Sequence, residues 1–132
     1  MKNEERLNKA KTLRSEGYNC AQVVLGAYSD LLPLSYEDTM KLGNGLGGGV
    51  GGIGSICGAL NAGAMILSFI HGKSEANVEH KKYIYQLTKT FIDEFNQQYG
   101  HYDCDPLLKL TNEKISCNEY IFDAIILLEK YI

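Results

Sequence analysis

The sequence has no segment in which apolar and polar residues alternate, and it contains only two prolines. Alternation with a period of two is the pattern of a half-buried β-strand, so its absence argues against a sheet. Apolar residues recur instead every three or four positions, as on one face of a helix. We therefore predict an all-α fold: one domain over residues 1–132, a bundle of about six or seven helices around a central apolar helix that follows a glycine-rich loop.

The chain also lacks a strong charge of either sign. Thirteen Lys and Arg face sixteen Asp and Glu, a net charge of −3, and the basic residues are scattered. Nucleic acids and anionic membranes bind clustered basic residues, so neither is an expected partner. The first 17 residues alternate charges without the apolar core of a secretion signal, which favours a cytoplasmic location. The apolar stretch 56–70 is shorter than the ~20 residues that cross a bilayer, so no membrane span is expected.

Several sequence motifs are missing. No Gly-Lys-Ser/Thr follows the glycines, which excludes a P-loop. No C-x-x-C occurs, which excludes a zinc ribbon, and no C-x-x-C-H occurs, which excludes covalent haem attachment. No Ser, His and Asp set stands out. The chemistry must therefore come from other residues.

Capping residues and apolar spacing predict where the helices begin and end. A buried helix spans "CGALNAGAMILSFIHG", which is apolar on nearly all sides and carries small residues for close packing. The expected boundaries are a stop at Gly17, a cap at Ser35, a long helix from Glu75 to Tyr99 stopped by Gly100, a cap at Asp105 before Pro106, and a capping box of Ser116 with Glu119.

Eight of the fourteen glycines fall within residues 43–54. Glycine loses more backbone entropy on folding than any other residue, so such a cluster needs a reason. The apolar residues Leu46, Val50 and Ile53 argue against a solvated linker, and the absence of a preceding strand argues against dinucleotide binding. We expect a backbone with unusual φ angles that packs closely and leads to Cys57; a tightly packed crossing without chemistry is the alternative. The loop that would let a substrate approach comprises Gly47, Gly48, Gly49, Gly51, Gly52, Gly54 and Gly58.

Each of the four cysteines lies within about one residue of a predicted helix start. They are Cys20, Cys57, Cys104 and Cys117. Free backbone N–H groups and the helix dipole lower the pKa of a thiol at such a position. Reactive thiols and thiol metal ligands both require the thiolate, so the repeated placement favours a chemical role.

Helical spacing also indicates where these thiols point. Cys20 shares a face with Val23 and Val24, and Cys117 shares a face with Ile121, so both are expected to point toward Cys57. Cys104 lies in a polar loop between two aspartates, whose charges oppose thiolate formation, and is expected to lie apart.

Three alternatives stay open for the cysteines. They could be inert buried residues, or form a structural disulfide, which a reducing compartment disfavours. They could also bind metal, because four thiolates converging in space suit zinc or an iron–sulfur cluster. His101, three residues before Cys104, is the candidate additional ligand; a solvated loop histidine is the alternative.

The segments "GYNCAQVVLGAY", "GGGVGGIGSICGALNAGAM", "YGHYDCDPLLKL" and "SCNEYIFDAIILLEKY" together resemble the C-GCAxxG-C-C family of redox-active proteins. The resemblance covers the whole chain and implies that Cys20, Cys57, Cys104 and Cys117 are the family's four cysteines. Where the family motif has glycine five residues after the central cysteine, this chain has Ala62. That difference is expected to alter helix packing and not the chemistry at Cys57.

The first functional hypothesis is therefore thiol–disulfide chemistry without a cofactor. Cys57 would attack a disulfide or oxidant, and a second cysteine would resolve the intermediate. The partner would be a redox protein or a small-molecule disulfide. The second hypothesis is a module in which the four cysteines hold an iron–sulfur cluster or zinc. The third is a structural helical protein that associates through its glycine face, for example as a homodimer.

Overall fold

The structure, a computed structural model, describes residues 3–112 and 115–132. Within these ranges it contains seven α-helices and no β-strand, which confirms the all-α prediction. The helices are α1 (Asn3–Ser15), α2 (Cys20–Ala27), α3 (Tyr36–Leu42), α4 (Gly58–His71), α5 (Val78–Tyr99), α6 (Cys104–Lys109) and α7 (Cys117–Leu128). None of the described helices is long and apolar enough to cross a bilayer.

The apolar helix α4 is the centre of the fold, as its sequence predicts. It packs against α2, α5 and α7, and Leu60, Ile66 and Leu67 are completely buried. A Cβ atom at Gly63 would lie 2.6 Å from a ring carbon of Phe91 on α5. The small residue therefore lets α5, which carries the buried Phe91 and Phe95, approach α4 closely.

Several predicted boundaries are confirmed. Gly17 and Gly100 both have positive φ angles, 96° and 77°, and each follows the end of a helix. The Ser35 side chain accepts a hydrogen bond from the Asp38 N–H over 3.0 Å and caps α3. The long helix α5 starts three residues later than expected because the side chain of Asn77, and not an earlier residue, accepts the first capping hydrogen bond.

The predicted cap at Asp105 is wrong. Helix α6 begins two residues earlier than predicted, at Cys104 and not at Pro106, and Asp103 at its N-cap makes no side-chain capping bond. The loop that precedes α4 satisfies the first amides instead. The Cys104 N–H donates to the Ser55 carbonyl over 2.6 Å, and the Asp105 N–H donates to the Gly54 carbonyl over 3.2 Å. Tertiary contacts thus replace the local cap.

The capping box predicted at the start of α7 is also wrong, because the Ser116 side chain makes no capping bond. A capping box forms instead at the start of α2. The Gln22 N–H donates to the Asn19 side chain over 2.9 Å, and the Asn19 N–H donates to the Gln22 side chain over 3.1 Å. Two reciprocal bonds therefore fix the first turn of α2, which begins with Cys20.

A buried arginine on α1 binds one carboxylate that follows α2 and another that follows α7. Arg6 on α1 is 3% exposed and forms ion pairs of 2.8 Å with Asp30 and with Glu129. Its guanidinium also donates to the Ala27 carbonyl over 2.7 Å and lies 4.1 Å from the ring centre of Tyr28. Because Glu129 directly follows α7, this network holds α1, α2 and α7 together at the end of α2 opposite Cys20.

Candidate active site

The four cysteines stand at four helix starts, as the sequence predicts. Cys20, Cys104 and Cys117 are the first residues of α2, α6 and α7, and Cys57 is the N-cap residue of α4. All four are free thiols. Four elements that are distant in sequence thus each contribute one sulfur atom from an N-terminal turn.

These four thiols line one small cavity. Its other walls are Leu107 and Leu108 of α6 together with Tyr120 and Ile121 of α7. Cys104 is therefore a full member of the cluster, and the expectation that it lies apart is wrong. The volume is about 30 Å³, close to that of one water molecule in the liquid. The cavity leaves the sulfurs room to move but cannot enclose a metabolite, so any larger partner must reach the thiols from the surface.

Cys20 and Cys57 act on each other most strongly in this cluster, because the side chain of each is the largest influence on the pKa of the other where α2 meets α4. The contact depends on Gly58, the first residue of α4. A Cβ atom there would lie 2.5 Å from the Cys20 Sγ atom and 2.9 Å from the Leu46 carbonyl oxygen. Only a residue without a side chain lets the start of α4 meet the start of α2.

The surroundings of Cys20 favour its thiolate. The hydrogen bond from Cys57 lowers the pKa of Cys20 to about 6; burial opposes this, while the backbone N–H groups of Gly48 and Ala21 and the charge of Arg14 lower it further. The ordinary value is 9.0. Cys20 is therefore mainly ionised at neutral pH, and it is only partly buried.

The surroundings of Cys57 favour its protonated thiol. Its hydrogen bond to Cys20, its burial and the charge of Cys20 all raise the pKa of Cys57, and the residue is 7% exposed. The two cysteines thus share one proton, which resides on Cys57. The sequence predicts the attacking thiolate at Cys57, whereas the electrostatics favour Cys20 for that position.

Cys104 and Cys117 complete the cavity as protonated thiols. Burial raises the pKa of both, and the charge of Cys20 acts on each in the same direction. The neighbouring Asp105 raises the pKa of Cys104 further, as the sequence predicts, whereas the charge of Arg14 partly offsets the rise at Cys117.

The glycine-rich loop forms one side of this cluster. Residues 48–52 have consecutive positive φ angles of 60–75° and form a left-handed turn, closed by hydrogen bonds such as that from the Gly54 N–H to the Gly48 carbonyl over 3.0 Å. A Cβ atom at Gly49 would lie 2.7 Å from the Cys104 Cβ atom. The expected unusual φ angles and close packing are confirmed. Gly49, Gly54 and Gly58 are buried, while Gly48, Gly51 and Gly52 are exposed to an approaching partner.

The alternative of a metal site finds less support. His101 is exposed and lines a separate cavity with Asn96, Tyr102 and Pro106, away from the four thiols. Across residues 3–112 and 115–132, no three Cys, His, Asp or Glu side chains are grouped so that they could hold a metal ion.

Two residues that act on the site were not predicted from the sequence, and neither was one contact of a predicted loop residue. Arg14 lowers the pKa of both Cys20 and Cys117 across helix boundaries, but on α1 it is one basic residue among several. Tyr120 lines the cavity, yet the sequence around it is that of an ordinary buried aromatic residue. The Gly48 N–H acts on Cys20 from a distant loop, and no local signal reveals that contact.

Comparison with known proteins agrees with this picture of a cysteine site. The family model described as "Putative redox-active protein (C_GCAxxG_C_C)" matches residues 18–131, which include all four cysteines. No curated protein and no solved structure matches the chain.

Proposed function

Because this chain belongs to the C_GCAxxG_C_C family, whose description is that of redox-active proteins, we propose that it carries out thiol–disulfide exchange. Cys20 is the attacking thiolate, and Cys57 is the thiol that completes the reaction. The observation that carries this proposal is the close approach of the two helix starts, where a Cβ atom on Gly58, the neighbour of Cys57, would lie 2.5 Å from the Cys20 Sγ atom and where each thiol shifts the pKa of the other. It provides, in one contact, an ionised sulfur and a protonated neighbour.

In the first step, the Cys20 thiolate attacks one sulfur of a substrate disulfide. A mixed disulfide forms at Cys20, and the other half of the substrate leaves as a thiolate that takes up a proton from water. In the second step, Cys57 loses its proton and attacks the Cys20 Sγ atom. The Cys20–Cys57 disulfide forms and the second substrate thiol is released. The two protein thiols lose two electrons, and the substrate disulfide gains them.

Exposure and charge suit the two residues to these separate steps. An attacking thiol works best when its pKa lies near the ambient pH, and the pKa of Cys20 is lowered to about 6. Once Cys20 enters a mixed disulfide, it no longer carries the negative charge that raises the pKa of Cys57. The second thiol is therefore activated only after the first step has taken place.

The test uses reduced protein, oxidised glutathione and serine variants. In Cys20→Ser the rate of glutathione release falls about tenfold or more, because the remaining thiols have raised pKa values. In Cys57→Ser the first step still occurs, but glutathione stays bound at Cys20 as a mixed disulfide, which intact-mass spectrometry detects.

The two serine variants are matched controls, since each removes one sulfur from the same contact. Circular dichroism establishes that both fold. A Cys20→Ser protein that reacts as fast as the parent would overturn the assignment of Cys20. Loss of the mixed disulfide from Cys57→Ser at the parental rate would overturn the assignment of Cys57.

A further inference from the structure

Cys104 and Cys117 are not used by the exchange described above, yet both line the same cavity. The Tyr120 hydroxyl donates a hydrogen bond of 2.7 Å to the Leu107 carbonyl, and this bond is buried. Leu107 follows Cys104 by three residues, and Tyr120 follows Cys117 by three residues. The bond therefore joins α6 and α7 at equivalent positions, and the first residues of both helices line the same cavity.

The same segment is joined to Cys57. The Cys57 N–H donates to the Tyr102 carbonyl over 2.9 Å, and the Cys104 N–H donates to the Ser55 carbonyl over 2.6 Å. These two bonds flank an antiparallel bridge between Ile56 and Asp103. The segment that carries Cys104 therefore pairs with the segment that carries Cys57. Cys104 also lines the same cavity as Cys117.

From this arrangement around one cavity, we propose that Cys104 and Cys117 are a second dithiol, which reduces the disulfide formed by Cys20 and Cys57. The inference rests on the proposed function, because that function supplies the first disulfide. We call Cys20 and Cys57 the inner pair, and Cys104 and Cys117 the outer pair. Oxidation then passes from the inner pair to the outer pair within one molecule.

The transfer balances in two steps. The Cys104 thiol loses its proton and attacks the Cys57 Sγ atom; the bond between Cys57 and Cys20 breaks, and Cys20 leaves as a thiolate. The Cys117 thiol then loses its proton and attacks the Cys104 Sγ atom, and Cys57 leaves and regains a proton. The outer pair has lost two electrons and the inner disulfide has gained them, so the inner pair is ready for a second substrate.

Electrostatics favour this direction. A disulfide is more oxidising when its reduced form is stabilised by a low-pKa thiol, and the lower-pKa thiol is the better leaving group. The pKa of Cys20 is lowered, whereas burial raises the pKa of Cys104 and Cys117. Electrons should therefore flow from the outer dithiol to the inner disulfide, with Cys20 as the group expelled.

The solvent exposure of the four cysteines gives a transfer from the inner pair to the outer pair a function. Cys57 is 7% exposed, so an external reductant can reach the inner disulfide only at its Cys20 sulfur. Cys104 and Cys117 are partly exposed. Leu108 lines the same cavity and is 47% exposed. A disulfide moved to the outer pair offers two partly exposed sulfurs to an external dithiol reductant, where the inner disulfide offers one.

The test follows disulfide positions over time. Reduced protein is mixed with one equivalent of oxidised glutathione, samples are alkylated at intervals, and disulfides are located by peptide mapping. We expect the Cys20–Cys57 disulfide first and the Cys104–Cys117 disulfide later, at the expense of the first. In Cys117→Ser, the transfer stops at a disulfide between Cys57 and Cys104. Persistence of the inner disulfide while Cys104 and Cys117 stay free would overturn the relay.

The same time course separates this inference from the proposed function. If no inner disulfide forms at any time, the proposed function itself fails. If it forms and is never passed on, only the relay fails. Cys20→Ser and Cys57→Ala are the control variants, and circular dichroism establishes that they fold. Both should form the outer disulfide at least about tenfold more slowly than the parent, and an unchanged rate in either would show that the outer pair reacts directly.

Discussion

Gly58 lies directly against the Cys20 sulfur, so that a Cβ atom at position 58 would be 2.5 Å from Sγ. This relationship joins a backbone position at the start of α4 to a thiol at the start of α2. It explains why the central cysteine is followed by a residue without a side chain. The geometry of the inner pair therefore depends on a single missing methyl group.

Adding a methyl group at Gly58 should separate Cys20 from Cys57. In Gly58→Ala, the new methyl pushes Cys20 away from Cys57, which weakens the hydrogen bond that lowers the pKa of Cys20. The pKa should move from about 6 toward 9.0, and the free energy of unfolding should fall by about 1–3 kcal/mol. Gly45→Ala is the matched control, because a Cβ atom at Gly45 meets no atom within 4 Å. Equal thiol titrations for both variants would contradict the steric explanation.

The reactivity of the thiols should depend on pH in a specific way. The rate of alkylation of Cys20 by iodoacetamide is expected to rise with a midpoint near pH 6, because the thiolate is the nucleophile. Peptide mapping after short exposure at pH 7 should find the label mainly at Cys20, since the pKa values of the other three cysteines are raised. A midpoint near pH 9 would show that Cys20 has no activated thiolate.

Stability should change over the same pH range. Cys20 has a lowered pKa in the folded state, so the folded protein binds fewer protons than the unfolded chain between pH 6 and 9. Its contribution to the free energy of unfolding is therefore complete above pH 9 and is lost as the pH falls through 6. Urea titrations at several pH values measure this slope. Cys20→Ser should flatten it, and an unchanged slope would assign the effect to other groups.

The buried Arg6 network should contribute strongly to stability. Arg6→Met leaves Asp30 and Glu129 without their cation, and removing one partner of a buried ion pair is costly. Because both carboxylates keep some contact with water, we expect a loss of about 2–3 kcal/mol in urea denaturation. Lys89→Met is the control: its ion pair with Asp93 is largely exposed, and its loss should cost less than about 1 kcal/mol. Similar losses for the two variants would mean that the network adds nothing beyond a surface pair.

A substitution at position 62, where this chain has alanine and the family motif has glycine, tests whether this difference affects helix packing alone. Ala62→Gly introduces the family residue at a completely buried helical position. Greater backbone freedom and a lost methyl contact should lower the free energy of unfolding by about 1–2 kcal/mol. The alkylation rate of Cys20 should stay the same, because Ala62 does not line the cavity. A changed thiol pKa in this variant would link position 62 to the chemistry.

Local patterns were sufficient to predict much of the fold. Apolar spacing located the helices, and Gly17 and Gly100 marked helix ends because positive φ angles suit glycine. The placement of every cysteine at a helix start followed from neighbouring caps. The sequence did not predict the late start of α5 or the early start of α6. Each start depends on which of several neighbouring oxygen atoms accepts the hydrogen bonds from the first N–H groups of the helix.

The pairing inside the site could not be predicted in the same way. The acidic neighbours of Cys104 set it apart in the sequence, but hydrogen bonds that it and Asp105 donate to distant loop carbonyls bring it to the cavity. The preference for a thiolate at Cys20 depends on Gly48 and Cys57, which are far away in sequence. Such contacts exist only after the helices have packed, so they leave no local pattern.

The left-handed turn at residues 48–52 has a consequence for how this loop can vary. At Gly51 and Gly52, a Cβ atom would meet nothing within 4 Å, so lack of space does not explain the glycines there. Their φ angles of 60° and 75° are those of a mirror-image helix, which L-amino acids disfavour. Chirality alone therefore restricts these two positions. In a chemically synthesised chain, D-alanine should fit both of them where L-alanine would be strained.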